Sequence, residues 1–145
     1  MKHIITLCLA VFFMAGVQNV QAQSKEETIA WIKEKLENST EGAYGSQGNF
    51  KVKTITDCSI TYTYIQGGNE YEETIPVKNA TIDNEKKSFS YPEEMVLNKN
   101  LTNGTQKFYK VSDFKIVERE ANLRERFLKA LNHLATFCVE KKQAF

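Results

Sequence analysis

Apolar and polar positions along this chain recur at two different periods, and the points where the period changes divide it into parts. Ile4 to Val17 is an apolar run, interrupted only by Thr6 and Gly16. From Ser24 the spacing becomes three and four. Ile29, Ile32 and Leu36 form a narrow stripe with Trp31 on its flank, and Ser24 followed by Glu27 is a capping box. The pattern predicts a short helix ending near Asn38, where Asn38-Ser39-Thr40-Glu41-Gly42 breaks it, followed by a polar loop over Ala43 to Asn49. From Phe50 the period falls to two. Phe50 to Thr56 and Cys58 to Gln66 alternate and are rich in β-branched and aromatic residues, as half-buried strands are.

Gly67-Gly68 then separates Gln66 from Asn69, a two-residue loop suited to a β-hairpin. The loop sets a register. Tyr64 falls opposite Tyr71, Ile60 opposite Ile75 and Cys58 opposite Val77, while Thr63 meets Glu72 and Ile65 meets Glu70. A slip of one residue would set Tyr64 against Glu72, so the apolar match selects this pairing. Pro76 has no N–H to give a ladder and marks a bulge or an edge. Further short strands are expected at 79–82, at 86–91 after a turn over Asp83-Asn84-Glu85, at 93–98 with Met95 and Leu97 in phase, at 106–111 and at 114–117. Asn98 to Thr105 reads as a loop.

The helical period returns over Asn122 to Glu140. Leu123, Phe127, Ala130, Leu131, Leu134, Ala135 and Cys138 line one face, and Asn122 with Glu125 makes a capping-box variant. Glu120 with Arg124 and Glu125 with Lys129 are ion pairs four residues apart. At about 1.5 Å per residue this helix would run roughly 27 Å, enough to cover a small sheet. The fold class is therefore α+β, mostly β: about seven short antiparallel strands in a small sandwich or partly open barrel, capped by a long C-terminal amphipathic helix, with an extra short N-terminal helix.

Composition alters this picture at the N-terminus. Lys2 and His3 precede the apolar run, and Val20-Gln21-Ala22 is a small-residue cleavage site, so residues 1–22 read as a signal peptide and 23–145 as one mature domain. The apolar run is too short for a membrane span, and Cys8 lies inside it, out of place for a lipid-modified cysteine. The expected product is an exported protein, periplasmic or secreted, with no transmembrane span in the mature chain. Without Lys2, 18 of the 19 basic residues remain against 18 acidic ones, so no charge excess attracts nucleic acid. The mature chain keeps two cysteines, Cys58 and Cys138, which an oxidising compartment would allow to bond; the alternative is two buried thiols. Bonding would close a loop of about 80 residues, worth roughly 4 kcal/mol in the chain-entropy model.

Seven or so strands from Phe50 onward, closed by a helix reaching Glu140, resemble the pleckstrin-homology-like superfold in the order of their elements. Members of that superfold that bind phosphoinositides use a Lys/Arg cluster at the first hairpin loop. Here that loop is Thr56-Asp57-Cys58, so the resemblance implies no phosphoinositide partner. The run Arg126 to Leu134, ending in Phe137-Cys138, also resembles the C-terminal helix of small uncharacterised exported proteins of Bacteroidetes-type bacteria, a resemblance that implies no particular activity.

Catalysis usually leaves a polar constellation, and the sequence is poor in one. His133 is the one histidine after the leader, at the border of the apolar stripe, five residues from Cys138 and so pointing another way on a helix. Three Cys and His residues scattered over the mature chain make no zinc set. Glu70, Glu72 and Glu73, with Glu93 and Glu94, read as solvated faces rather than as a calcium site or a glycosidase pair. No catalytic residue, cofactor or metal ligand is assigned. Two binding candidates remain: an aromatic surface built from Tyr62, Tyr64, Tyr71 and Tyr91, and the polar loops Ala43 to Asn49 and Asn98 to Thr105. The expected role is a non-catalytic binding or interaction module of the periplasm or cell envelope, its partner an unknown protein. The alternatives are a carrier holding a small apolar ligand between sheet and helix, and a small hydrolase using His133.

Overall fold

A computed structural model of the protein describes residues 24–42 and 50–139. The expected signal peptide, residues 1–22, and the candidate binding loop Ala43 to Asn49 lie outside the described residues.

The first helix, α1 (Lys25–Asn38), begins where its capping box predicts. The Ser24 hydroxyl accepts from the Glu27 N–H at 3.1 Å, and the Glu27 carboxylate accepts from the Ser24 N–H at 2.8 Å. These bonds satisfy two of the donors that a helix start leaves open. Thr28, Ile32 and Leu36 are its buried stripe. A short strand follows directly, β1 (Thr40–Gly42). The sequence reads here only as a helix end. Thr-Glu-Gly has no strand pattern, and the segment is extended because a partner more than 70 residues further on pairs with it, Gly42 with Phe114 in an antiparallel ladder.

The remaining strands are β2 (Lys51–Ile55), β3 (Ser59–Gln66), β4 (Asn69–Pro76), β5 (Thr81–Asp83), β6 (Ser88–Ser90), β7 (Val96–Asn100), β8 (Gln106–Tyr109) and β9 (Phe114–Ile116). They form an open five-stranded antiparallel sheet in the order β2-β3-β4-β7-β8 and two small two-stranded ladders, β1-β9 and β5-β6. The sheet does not close into a barrel. The β3–β4 hairpin has the expected register throughout, with Tyr64 opposite Tyr71, Ile60 opposite Ile75 and Gln66 opposite Asn69. Gly67 at φ 57° and Gly68 at φ 80° supply the two left-handed residues of a type I′ turn. Val77 donates to the Cys58 carbonyl at 3.0 Å, extending the match one step beyond the ladder. Pro76 pairs with Ser59, but β7 reaches β4 only as far as Thr74, so no third strand asks Pro76 for a donor.

Two strand expectations are corrected. In β7 the buried positions are Val96, Asn98 and Asn100, whereas Met95 is 37% exposed and Leu97 half-buried. The phase is shifted by one because two polar side chains face inward, which an apolar count misreads. For the same reason Asn98 to Asn100 is strand and not loop. The Asn100 carboxamide then holds the N–H groups of Thr102 and Asn103 at 2.9 and 3.2 Å and turns the chain into β8.

The second helix is α2 (Leu123–Ala135), shorter than the expected span to Glu140. Thr136 and Phe137 close it by bonding back to the His133 and Leu134 carbonyls, and Cys138 lies in the turn that follows. Its start also differs from the expected cap. Asn122 is left-handed at φ 55° and makes no side-chain cap bond. Glu118 caps instead, accepting from the Leu123 N–H at 2.9 Å and the Arg124 N–H at 3.3 Å while pairing with Arg124 Nε at 2.6 Å. That carboxyl is held below its ordinary pKa by these contacts, the Arg124 bond first. Glu120 is likewise turned away from Arg124, toward Lys35 of α1 and Arg126. Glu118→Ala should therefore cost about 1–2 kcal/mol by exposing the helix start, with Asn122→Ala costing far less. Urea unfolding of the two variants compares them directly.

The core lies between the helices and the inner face of the large sheet. Ile32 and Leu36 of α1 and Leu123, Phe127, Leu131 and Leu134 of α2 pack with Ile60, Tyr62, Ile75 and Val96. A relay of rings runs through it, from Trp31 to Phe127 (5.7 Å), Phe89 (5.4 Å), Phe114 (5.9 Å) and Tyr62 (5.5 Å). Arg126 lies over the Trp31 ring at 5.5 Å and ties the helices together from outside.

Cys58 and Cys138 are bonded, with Cα atoms 4.9 Å apart. Cys58 is exposed in the turn between β2 and β3, not inside the strand as its phase with Ile60 suggests. The bond thus staples the end of α2 to the rim of the sheet. Among the described residues no helix is long and apolar enough to cross a membrane.

Candidate functional site

The residues that matter most here begin with one that the charge pattern hides. In the β3–β4 register Glu73 stands opposite Tyr62, in phase with Tyr71 and Ile75, and so points into the core. It is fully buried. Reading it as part of a solvated acidic run is corrected by this register, which was available from the Gly-Gly turn. A buried carboxylate needs donors, and three are supplied. The Tyr62 hydroxyl and the Asp113 N–H (3.0 Å) donate to Oε1, and the Asn98 carboxamide donates to Oε2 at 3.2 Å. Asn98 Nδ2 also reaches the Tyr64 hydroxyl at 2.7 Å and Asp113 Oδ2 at 3.2 Å, and Tyr64 donates to that same oxygen at 2.8 Å.

Five side chains from β3, β4, β7 and the approach to β9 thus make one closed polar network. Burial pushes the Glu73 carboxyl up to about 7, against the opposing pull of its donors. Burial likewise raises Asp113, opposed by the Tyr64 bond and by the charge of Lys86. Both tyrosine hydroxyls are held far above their ordinary range, first by burial and then by the neighbouring carboxylates.

This network underlies a cleft of about 670 Å³. Its wall exists because the chain changes sheets. After β8 leaves the large sheet, Lys110 to Asp113 crosses to the small β5-β6 hairpin: the Lys110 carbonyl accepts from Tyr91 N–H at 2.8 Å, and Ser112 N–H donates to the Phe89 carbonyl at 3.0 Å. Asn98 and Asp113 line the cleft above Glu73, Tyr71 comes from the β3–β4 hairpin, and Ser88 from β6. Lys86, Lys110 and Lys115 stand around it with Glu85. Ser88 is 2% exposed, and among the described residues its hydroxyl has no hydrogen-bond partner. Nearly all buried polar groups in proteins are paired, so an orphan in a cleft wall marks a place where a ligand or water is expected to bond.

The tyrosine surface expected from the sequence does not form. Tyr62, Tyr64 and Tyr91 are 1%, 2% and 4% exposed. Only Tyr71 reaches the cleft, its ring stacked on Tyr64 at 5.4 Å. The Tyr91 hydroxyl is used internally, donating to the Pro76 carbonyl at 2.9 Å. Strand alternation puts Tyr62, Tyr64 and Tyr71 on the same face, and in this fold that face is the core. The other candidate loop, Asn98 to Thr105, contributes Asn98 alone. His133 lies elsewhere on α2, half-buried with its ring edge-on to Phe137 at 5.2 Å. Among the described residues no group of three or more His, Cys, Asp or Glu is placed to hold a metal ion. No family model matches the chain, and no curated protein or solved structure matches it either.

Proposed function

We propose that this chain is an exported, non-catalytic binding domain of the periplasm or cell envelope, and that it binds a small polar ligand in the cleft above the Glu73 network. The observation that carries the reading is the cleft itself: its polar groups Asn98 and Asp113 are fixed from below by buried hydrogen bonds, and behind its wall lies one buried hydroxyl, Ser88, with no partner among the described residues. Fixed polar groups in a concave site are what small-ligand recognition requires. A non-catalytic role is supported by how the two carboxylates are used. Glu73 is sealed beneath the floor, and Asp113 is held by Tyr64 and Asn98. The Cys58–Cys138 bond supports export, since such bonds persist in oxidising compartments. Carriage of an apolar ligand between sheet and helices finds less support, because that space is filled by Ile32, Phe127, Leu131 and their neighbours.

Native mass spectrometry on protein recovered from its host's envelope tests the reading. The expected result is a chain beginning at Gln23 that carries a discrete added mass, lost on denaturation. Absence of the protein from the envelope fraction overturns export, a chain retaining Met1 overturns cleavage after Ala22, and a bare chain overturns tight binding of a resident ligand.

A further inference from the structure

Resting on the cleft as the binding site, we infer that its ligand is a hydroxylated monoanion, an acidic sugar of the uronate type. The charge balance comes first. Lys25, Lys33, Lys35 and Lys53 are all engaged in ion pairs, with Asp57, Glu37, Glu120 and Glu72 among their partners. Among the described residues Lys86, Lys110 and Lys115 are in none, as are Lys51, Lys87, Lys99, Lys107 and Lys129, and the first three border the cleft. Against them stand Glu85 and the half-buried Asp113. Three cations against two carboxylates in the lining leave an excess of one positive charge, which shrinks as Glu73 beneath the floor ionises above about pH 7. That excess suits a single carboxylate better than a dianion and disfavours a cation.

The rest of the lining asks for hydroxyls. Ser88 Oγ is buried behind the cleft wall with no partner among the described residues, and a small shift of that wall would let it donate to or accept from a ligand hydroxyl. Asn98 spends its N–H groups on Tyr64, Glu73 and Asp113, leaving its carbonyl oxygen to accept. Asp113 receives its internal bonds on Oδ2, which leaves Oδ1 as a second acceptor. A ligand meeting these acceptors must bring O–H donors. Tyr71, braced by its stack on Tyr64, gives a rigid flat surface on which the C–H face of a sugar ring can lie. Carboxylate toward the lysines and hydroxyls toward Asn98, Asp113 and Ser88 satisfy both halves of the site at once.

The test is amide chemical-shift mapping on 15N-labelled, oxidised protein expressed from the full 145-residue sequence. The probes are glucuronate, methyl glucoside, glucosamine and inorganic phosphate at low ionic strength. Saturable shifts at Ser88, Asn98 and Ser112 with glucuronate, and much weaker ones with the other three, are expected. Binding should weaken as salt rises. It should fall on the order of ten- to thirtyfold in Lys86→Ala/Lys110→Ala/Lys115→Ala, whose substitutions lie outside the core. Ser88→Ala should weaken it roughly two- to tenfold.

Methyl glucoside or glucosamine binding in the cleft as tightly as glucuronate would overturn the anion while leaving the cleft as the site. Phosphate matching glucuronate would overturn the sugar. Glucuronate shifts mapping outside the cleft would overturn both this inference and the reading on which it rests. If no probe shifts the cleft at millimolar concentration, the uronate assignment falls, and a bound mass on host-recovered protein then decides the cleft separately.

Discussion

Replacing both cysteines, Cys58→Ser with Cys138→Ser, lowers the unfolding free energy by roughly 4 kcal/mol. The reason lies mainly in the unfolded chain. The bond joins residues 80 apart, so in its absence the denatured ensemble gains the freedom of the long segment that runs from β3 to the end of α2. The folded state loses little, because α2 remains held by Leu123, Phe127, Leu131 and Leu134, all fully buried. The decrease is a large fraction of the stability ordinary for a domain of this size. At about 3–5 °C per kcal/mol it corresponds to a melting temperature lower by roughly 15 °C. Urea unfolding should also show a steeper dependence on denaturant, since an uncrosslinked chain exposes more surface. A double variant within 1 kcal/mol of the parent, at about that tolerance, would mean that the crosslink constrains little. Alkylation with and without reductant confirms the bond beforehand: two thiols reactive before reduction would refute it.

Glu73→Gln removes a pH dependence that the parent protein should show between about pH 4.5 and 7. The folded-state pKa of Glu73 is raised to about 7 by burial, above the 4.5 of an exposed glutamate. Between those values the folded state holds a proton that the unfolded state has released. Raising the pH through this window therefore destabilises the fold, by about 3 kcal/mol once both states are ionised. The groups facing Glu73 are Tyr62, Asn98 and Asp113, with Tyr64 behind them. The tyrosines stay protonated across the window, and Asp113, also raised by burial, contributes with the same sign. Asp57, Glu118 and Glu120 have lowered pKa values, so their stabilisation is lost only as pH falls through more acid values.

The difference in unfolding free energy between parent and Glu73→Gln, measured by denaturation at several pH values, isolates the residue. It should decline across the window and then level off, and a flat difference would refute the assignment. Glu73→Ala should be the more damaging change, about 3–5 kcal/mol. It leaves Tyr62, Asn98 and the Asp113 N–H without their acceptor and opens a cavity. Retaining a costly buried carboxylate is reasonable if Glu73 is a positioning residue that holds Asn98 and Asp113 at the cleft.

The site was partly legible before any coordinates. The Gly67-Gly68 turn determined which residue faced which, and with Tyr62 on the inner face Glu73 had to be inside as well. Its charge argues for solvent, and a cluster of glutamates reads as a solvated face unless the register is followed. Asn98 was lost in a similar way, since a buried asparagine in β7 breaks the apolar alternation that betrays a strand. Ser88 and Asp113 carried no local signal. They flank a cleft only because the crossing segment from Lys110 to Asp113 bonds to β6.

The features legible from residue order alone are those set by near neighbours. Ser24 and Glu27 start α1, two glycines make the β3–β4 turn and align its strands, and spacings of three and four give α2 its buried face. Each depends on interactions spanning a few residues, which side-chain type and spacing specify. Tertiary structure alone decided that Thr40 to Gly42 is a strand, that Glu118 and not Asn122 caps α2, and that the tyrosines lie inside. It also decided that three unpaired lysines gather around Asn98, Asp113 and Ser88. These features arise where segments far apart in the chain meet, and there the burial of a common core outweighs local preference.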